Sequence, residues 1–132
     1  MENTVAPYLC CKDAPSALEF YKKAFDAIET LRWPDATGRI SHAEFKIGEA
    51  GIMLADEHPE IGFLSPQTLG GTPVLLVLTV PDADAFFARA VSAGASMRKP
   101  LADQPYGRRS GQLEDPFGHR WDVGSPIEAS HS

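Results

Sequence analysis

At 132 residues, with 43% hydrophobic and 23% charged side chains, the chain has the size and balance of one globular domain. Twelve basic against eighteen acidic residues leave a net charge of −6, and no basic stripe is present to follow a nucleic-acid backbone. No apolar run nears the roughly 20 residues of a membrane helix, and Met1-Glu2-Asn3-Thr4 lacks the basic and apolar parts of a signal peptide, so a cytoplasmic location is expected.

Val5–Cys11 is an apolar run of strand length, with Pro7 near its start as an edge tolerates. Cys10 and Cys11 are adjacent, and neighbours on a strand point to opposite faces, so both are expected as free thiols in a reducing compartment. Cys10 reads as a small packed hydrophobe, with a pocket-facing position as the alternative.

Asp13 is a good N-cap and Pro15 suits the first turn of a helix over 14–26. Its apolar stripe is Ala17, Leu18, Tyr21, Ala24, Phe25 and Ile28. Glu29–Trp33, Arg39–Ile47 and Ile52–Ala55 read as strands joined by hairpin-type loops at 34–38 and 48–51. Residues 57–72 form a long loop without a period.

Val74–Val80 is almost wholly apolar, as in a strand buried on both faces. Asp82 caps a second helix over 82–94, with Ala83, Phe86, Phe87, Ala90 and Val91 inward and Gly94 at its end. Ser96–Arg98, Arg109–Glu114 and Arg120–Val123 read as the last strands, and a frayed tail is expected after Pro126.

Asp115-Pro116-Phe117-Gly118 is a turn signal: proline presets φ, the Asp carboxylate reaches a backbone N–H two residues on, and glycine accepts φ > 0. In the strand that follows, alternation puts Arg120 and Asp122 on one face and Trp121, a buried anchor, on the other.

Strand, helix and three strands are thus written twice. The caps Asp13 and Asp82 stand 69 positions apart, and the same offset sets Ala6 against Leu75 and Met53 against Asp122. The expected fold is α+β: one domain over 1–132 made of two βαβββ modules, about 4–56 and 73–125, joined by the loop 57–72.

His42 and Glu44 share a strand face. They read as a hydrogen-bonded pair on a solvated face, or as a general base with its orienting carboxylate, or as two ligands of a displaced metal site. His119 is expected to satisfy turn backbone, and His58 and His131 receive no role. There is no phosphate-binding glycine loop or nucleophile elbow.

With this element order, the phrases Pro7-Tyr8-Leu9, Phe20–Phe25, Arg39–Glu44, Ile52–Glu57, Leu69–Pro73 and Asp115–Trp121 make the chain resemble the vicinal oxygen chelate superfamily of glyoxalases, bleomycin-resistance proteins and dioxygenases. The nearest likeness is to its PhnB-like group. The resemblance implies a cup-shaped mixed sheet with helices on its outer face, commonly completed by a homodimer.

It also implies metal-ligand positions at Ala6, Met53, Leu75 and Asp122, of which only Asp122 offers an oxygen. One carboxylate among three apolar residues cannot hold a divalent ion well, so no cofactor is expected. The reading is a metal-free dimeric cup that sequesters a small organic ligand through Trp33, His42, Met53, Leu75, Tyr106 and Asp122. The acidic charge favours a cationic ligand, with Arg120 as Asp122's partner in its absence. The alternative is a lyase, isomerase or dioxygenase-like enzyme using His42 and Glu44, or Asp122 with a displaced divalent metal.

Overall fold

The computed structural model describes residues 1–127. The tail expected to fray after Pro126 lies, Ile127 aside, outside these residues, as does His131.

Two βαβββ modules are present, each a four-stranded mixed sheet. The first contains β1 (Tyr8–Cys11), α1 (Ala14–Phe25), β2 (Ile28–Pro34), β3 (Ile40–Ile47) and β4 (Ala50–Asp56), in sheet order β1-β4-β3-β2. A 3-10 turn at Pro59–Ile61 and the short helix α2 (Pro66–Leu69) follow. The second module contains β5 (Leu75–Thr79), α3 (Ala83–Ala93), β6 (Ser96–Asp103), β7 (Arg108–Glu114) and β8 (Arg120–Pro126), in order β5-β8-β7-β6.

The offset of 69 is visible in the pairing. Tyr8 stands opposite Met53 on parallel β1 and β4, and Val77 stands opposite Asp122 on parallel β5 and β8.

Both long helices start where their caps place them. Asp13 accepts from the Ser16 N–H at 3.2 Å and Asp82 from the Ala85 N–H at 3.1 Å. Ala17, Leu18, Tyr21, Ala24 and Phe25 are buried as their spacing requires. The stripe stops there: Asp26 turns left-handed at φ 55°, and Ile28 opens β2, exposed. On α3, Ala83, Phe87 and Ala90 are buried and Ala93 packs against the core, but Val91, at the edge of that stripe, is 41% exposed.

The helices pack on each other as well as on their sheets, with Phe25 stacked on Phe86 at 5.3 Å between ring centroids. One hydrophobic core therefore contains residues of both modules.

Three hairpin loops repeat one turn. The carbonyls of Asp35, Gln104 and Asp115 accept from Gly38, Gly107 and Gly118 at 3.1, 3.2 and 3.1 Å. Each glycine has φ between 83° and 91°, a region costly for any residue with a Cβ. Asp115 does what its position predicted, accepting from the Phe117 N–H at 2.9 Å. Trp121 is buried.

Three expectations need correction. Residues 57–72 hold two short helical turns, too brief for a period to show, although Pro59, Pro66, Ser65 and Gly70 mark their ends. β6 runs through Pro100 to Asp103 by means of register shifts beside the proline, an irregularity an edge strand tolerates. β5 is buried on one face only. Leu76, Leu78 and Val80 turn inward, whereas Leu75 and Val77 are 40% and 66% exposed. α3 covers one side of this sheet, and nothing in the described chain covers the other.

Candidate functional site

Strand alternation decides what the uncovered face of the first sheet displays. Leu9, Ala43, Phe45 and Leu54 turn inward, so Tyr8, His42, Glu44 and Met53 turn out. Trp33 pairs with His42 across β2 and β3, and their rings lie 5.3 Å apart. On the other side of His42, the Tyr8 ring lies 5.4 Å away. The imidazole is held between two aromatic rings.

Its nitrogens are both engaged. His42 Nε2 lies 2.7 Å from Glu44 Oε2, and the Tyr8 hydroxyl lies 2.8 Å from His42 Nδ1. A carboxylate only accepts, so Nε2 carries a proton; Nδ1 of the neutral ring then accepts from Tyr8. Burial, and then the charge of Glu44, push the Tyr8 phenol above its ordinary range, which keeps it a donor. Tyr8 is thus the outermost member of a Tyr–His–Glu chain.

The uncovered face of the second sheet is charged and apolar together. Leu75 stands opposite Arg120, and Val77 opposite Asp122. Asp122 does not take Arg120 as its partner. Arg120 bonds Glu114 at 3.0 Å, while Asp122 bonds Arg108 at 3.0 Å. Arg108 also donates to Thr79 Oγ1 at 2.7 Å and to the Leu78 carbonyl at 3.1 Å. It lies over Gly124, where a Cβ would come within 2.6 Å of the guanidinium. The missing side chain at 124 makes room for the arginine, a pairing across strands that sequence spacing cannot show.

Of the six ligand candidates, the structure brings together Trp33, His42 and Met53 on one sheet, and Leu75 and Asp122 on the other. Tyr106 sits at the tip of the β6–β7 hairpin, 68% exposed. Tyr8 is a site residue that the sequence reading missed: the register sets it, and not Ala6, opposite Met53, and the offset of 69 carries it to Val77, opposite Asp122.

The implied metal positions do not fit a divalent ion. Ala6, Met53 and Leu75 carry no hard donor, and the Asp122 carboxylate is engaged by Arg108. Among the described residues, no three His, Cys, Asp or Glu side chains gather as a metal site.

Two cavities flank β1, with Tyr8 and Phe63, edge to face at 5.6 Å, bordering both. One, about 510 Å³, sets the charged side chains of Arg39, Glu57 and Glu60 beside apolar Ile40, Ile61 and Phe63. The other, about 550 Å³, is lined by residues 5–10, by part of the segment 63–74, and by Leu76 and His119. Cys10 borders it as a neutral thiol, pushed up to about 11 by burial and then by Glu57 and Asp56. Cys11 is pushed higher still by burial and Asp115. His119 satisfies backbone, as expected, but that of β1: its Nε2 lies 2.9 Å from the Cys10 carbonyl.

No helix among the described residues is long and apolar enough to cross a membrane. An uncharacterized protein of Mycobacterium tuberculosis is 45% identical over 130 residues, covering 96% of this chain and 76% of that protein. TioX from Micromonospora sp. ML1 superposes with a TM-score of 0.74 at 28% identity, covering 96% of this chain and 98% of TioX. The PhnB protein of Bacillus cereus shares the fold at a TM-score of 0.69 and 20% identity, over 93% of this chain and 99% of that one. The model of the Glyoxalase/Bleomycin resistance protein/Dioxygenase superfamily matches residues 3–123, and the chain belongs to that superfamily.

Proposed function

We propose that this protein binds a small organic ligand without a metal, on the uncovered face of the first sheet, and that a second copy of the chain completes the cup. One observation carries the reading: Trp33, His42 and Tyr8 form a continuous aromatic surface, with Trp33 56% and Tyr8 42% exposed. Such a surface suits a flat ligand, and Glu44 beside it, together with the net charge of −6, favours a cationic one. Membership of the superfamily supports a small-molecule ligand over a macromolecular one.

A lyase, isomerase or dioxygenase-like activity is the second reading, and the His42–Glu44 bond of 2.7 Å is what favours it. A general base needs a free lone pair within reach of its substrate. Here Nε2 faces Glu44 and Nδ1 faces Tyr8, so a proton leaving the substrate would have to pass through the Tyr8 hydroxyl. Retention therefore ranks above turnover.

The two tryptophans make the test direct, because Trp33 is 56% exposed and Trp121 is 2% exposed. A panel of cationic and neutral aromatic compounds is titrated with and without EDTA. Quenching of exposed-tryptophan emission, a raised melting temperature and indifference to EDTA are expected, with the quenching lost in Trp33→Phe. Binding that requires a divalent ion would overturn the metal-free reading. Conversion of a bound compound, abolished by Tyr8→Phe and His42→Phe alike, would establish the enzymatic one.

A further inference from the structure

The cavity of about 550 Å³ beside β1 is apolar: Leu64, Leu69, Val74 and Leu76 contribute to its walls, and no Asp, Glu, Lys or Arg does. Its polar side-chain atoms are few. The Tyr8 hydroxyl is committed to His42, Thr72 Oγ1 accepts from the Val74 N–H, and Cys10 is a neutral thiol. That leaves His119, 8% exposed.

Its Nε2 faces the Cys10 carbonyl at 2.9 Å and must carry the hydrogen, because a carbonyl only accepts. In the neutral ring, Nδ1 is then a bare acceptor. No group among the described residues bonds it, yet no fully buried side-chain nitrogen or oxygen among them lacks a partner. Nδ1 is therefore open, and the space that His119 borders is this cavity.

We propose that this cavity is a second ligand site, for a neutral apolar molecule bearing one hydroxyl or N–H donor that bonds His119 Nδ1. The volume lies within the range of small-molecule pockets, and one acceptor in an apolar wall orients such a ligand. A charged ligand is disfavoured, since nothing there would compensate its desolvation. The site shares Tyr8 with the aromatic surface but not Trp33 or His42, and the two are read by different signals.

Indole and indene, nearly isosteric and differing in the N–H, are the probes. Indole is expected to bind at least about tenfold more tightly than indene and to move the His119 Nδ1 nitrogen resonance, which indene leaves in place. His119→Gln keeps a donor for the Cys10 carbonyl but puts no acceptor where Nδ1 was, so the preference should fall to about one. Val74→Trp, which fills the mouth from an exposed position, should remove both probes while the fold persists. Equal affinities, an unmoved Nδ1 resonance, or binding of neither probe at millimolar concentration would overturn the proposal. So would affinity that weakens with rising protein concentration, which would put a second copy in the cavity.

Discussion

Asp115 shows how much one carboxylate can organise. It accepts from the N–H groups of Phe117 and His119, from the Trp121 indole at 2.9 Å, and from the Tyr21 hydroxyl on the other module's helix. Burial and the charge of Asp115 drive the Tyr21 phenol well above its ordinary range, so it stays a donor at any working pH. Tyr21→Phe removes one of four donors and is expected to cost about 1–2 kcal/mol in urea unfolding. Asp115→Ala leaves the tyrosine and indole donors without their acceptor and should cost about 3–5 kcal/mol, the scale of a broken buried network. A loss below 1 kcal/mol for Asp115→Ala would mean that the hub does not join the modules. Asp122 is a smaller case of the same kind. Because Arg108 ties it to β5, Asp122→Asn is expected to lower the melting temperature even without ligand.

Among elements, β7 leaves no room for a side chain where β6 bends past Pro100. A Cβ on Gly111 of β7 would come within 2.8 Å of the Lys99 carbonyl oxygen and 2.9 Å of the Leu101 nitrogen, both backbone atoms that cannot swing aside. Gly111→Ala should therefore destabilise by about 1–3 kcal/mol through overpacking, and faster amide exchange should be confined first to β6. The junction of α1 with β2 sets a pH dependence. Arg32 at 2.8 Å, and then Lys22 at 2.9 Å, hold Glu29 at about 2, against a burial cost that acts the other way. Its folded value lies below the ordinary carboxylate value, so its contribution is complete above that value. It is lost as the pH falls through about 2. Glu57, also at about 2 through hydrogen bonds from Ser65 and Thr68, adds to the same acid limb. Glu29→Gln should flatten the fall in stability between roughly pH 4.5 and 2, leaving the Glu57 part. An unchanged acid limb would show that the ion pairs are already screened in solution.

For the whole molecule, the uncovered sheet faces set the expectation. Tyr8, Trp33, Leu75 and Val77 stay exposed while the core between the sheets and helices is filled. An apolar face of that kind is normally covered by a partner or a ligand. Sedimentation equilibrium at micromolar concentration is expected to report about twice the 14.3 kDa chain mass. A monomer throughout the range would require the ligand site to be complete within one chain.

The alternation of two modules was readable from residues alone. Helix caps, apolar stripes and turn glycines act within a few positions of chain, so Asp13, Asp82, Tyr21 and Gly118 declare their roles locally. The His42–Glu44 pair was legible for the same reason, since two residues apart on a strand means one face. Three things were decided only by the tertiary structure. The partner of Asp122 came from β7, across the sheet, because Gly124 leaves space there that sequence spacing cannot express. The open side of β5 depended on how many layers cover it, and an apolar strand reads alike with one cover or two. His119 gained its place beside the second cavity from the packing of one module's turn against the other's first strand, more than a hundred residues away. Local chemistry is written in the neighbours of each residue, and long-range pairing is settled only when surfaces meet.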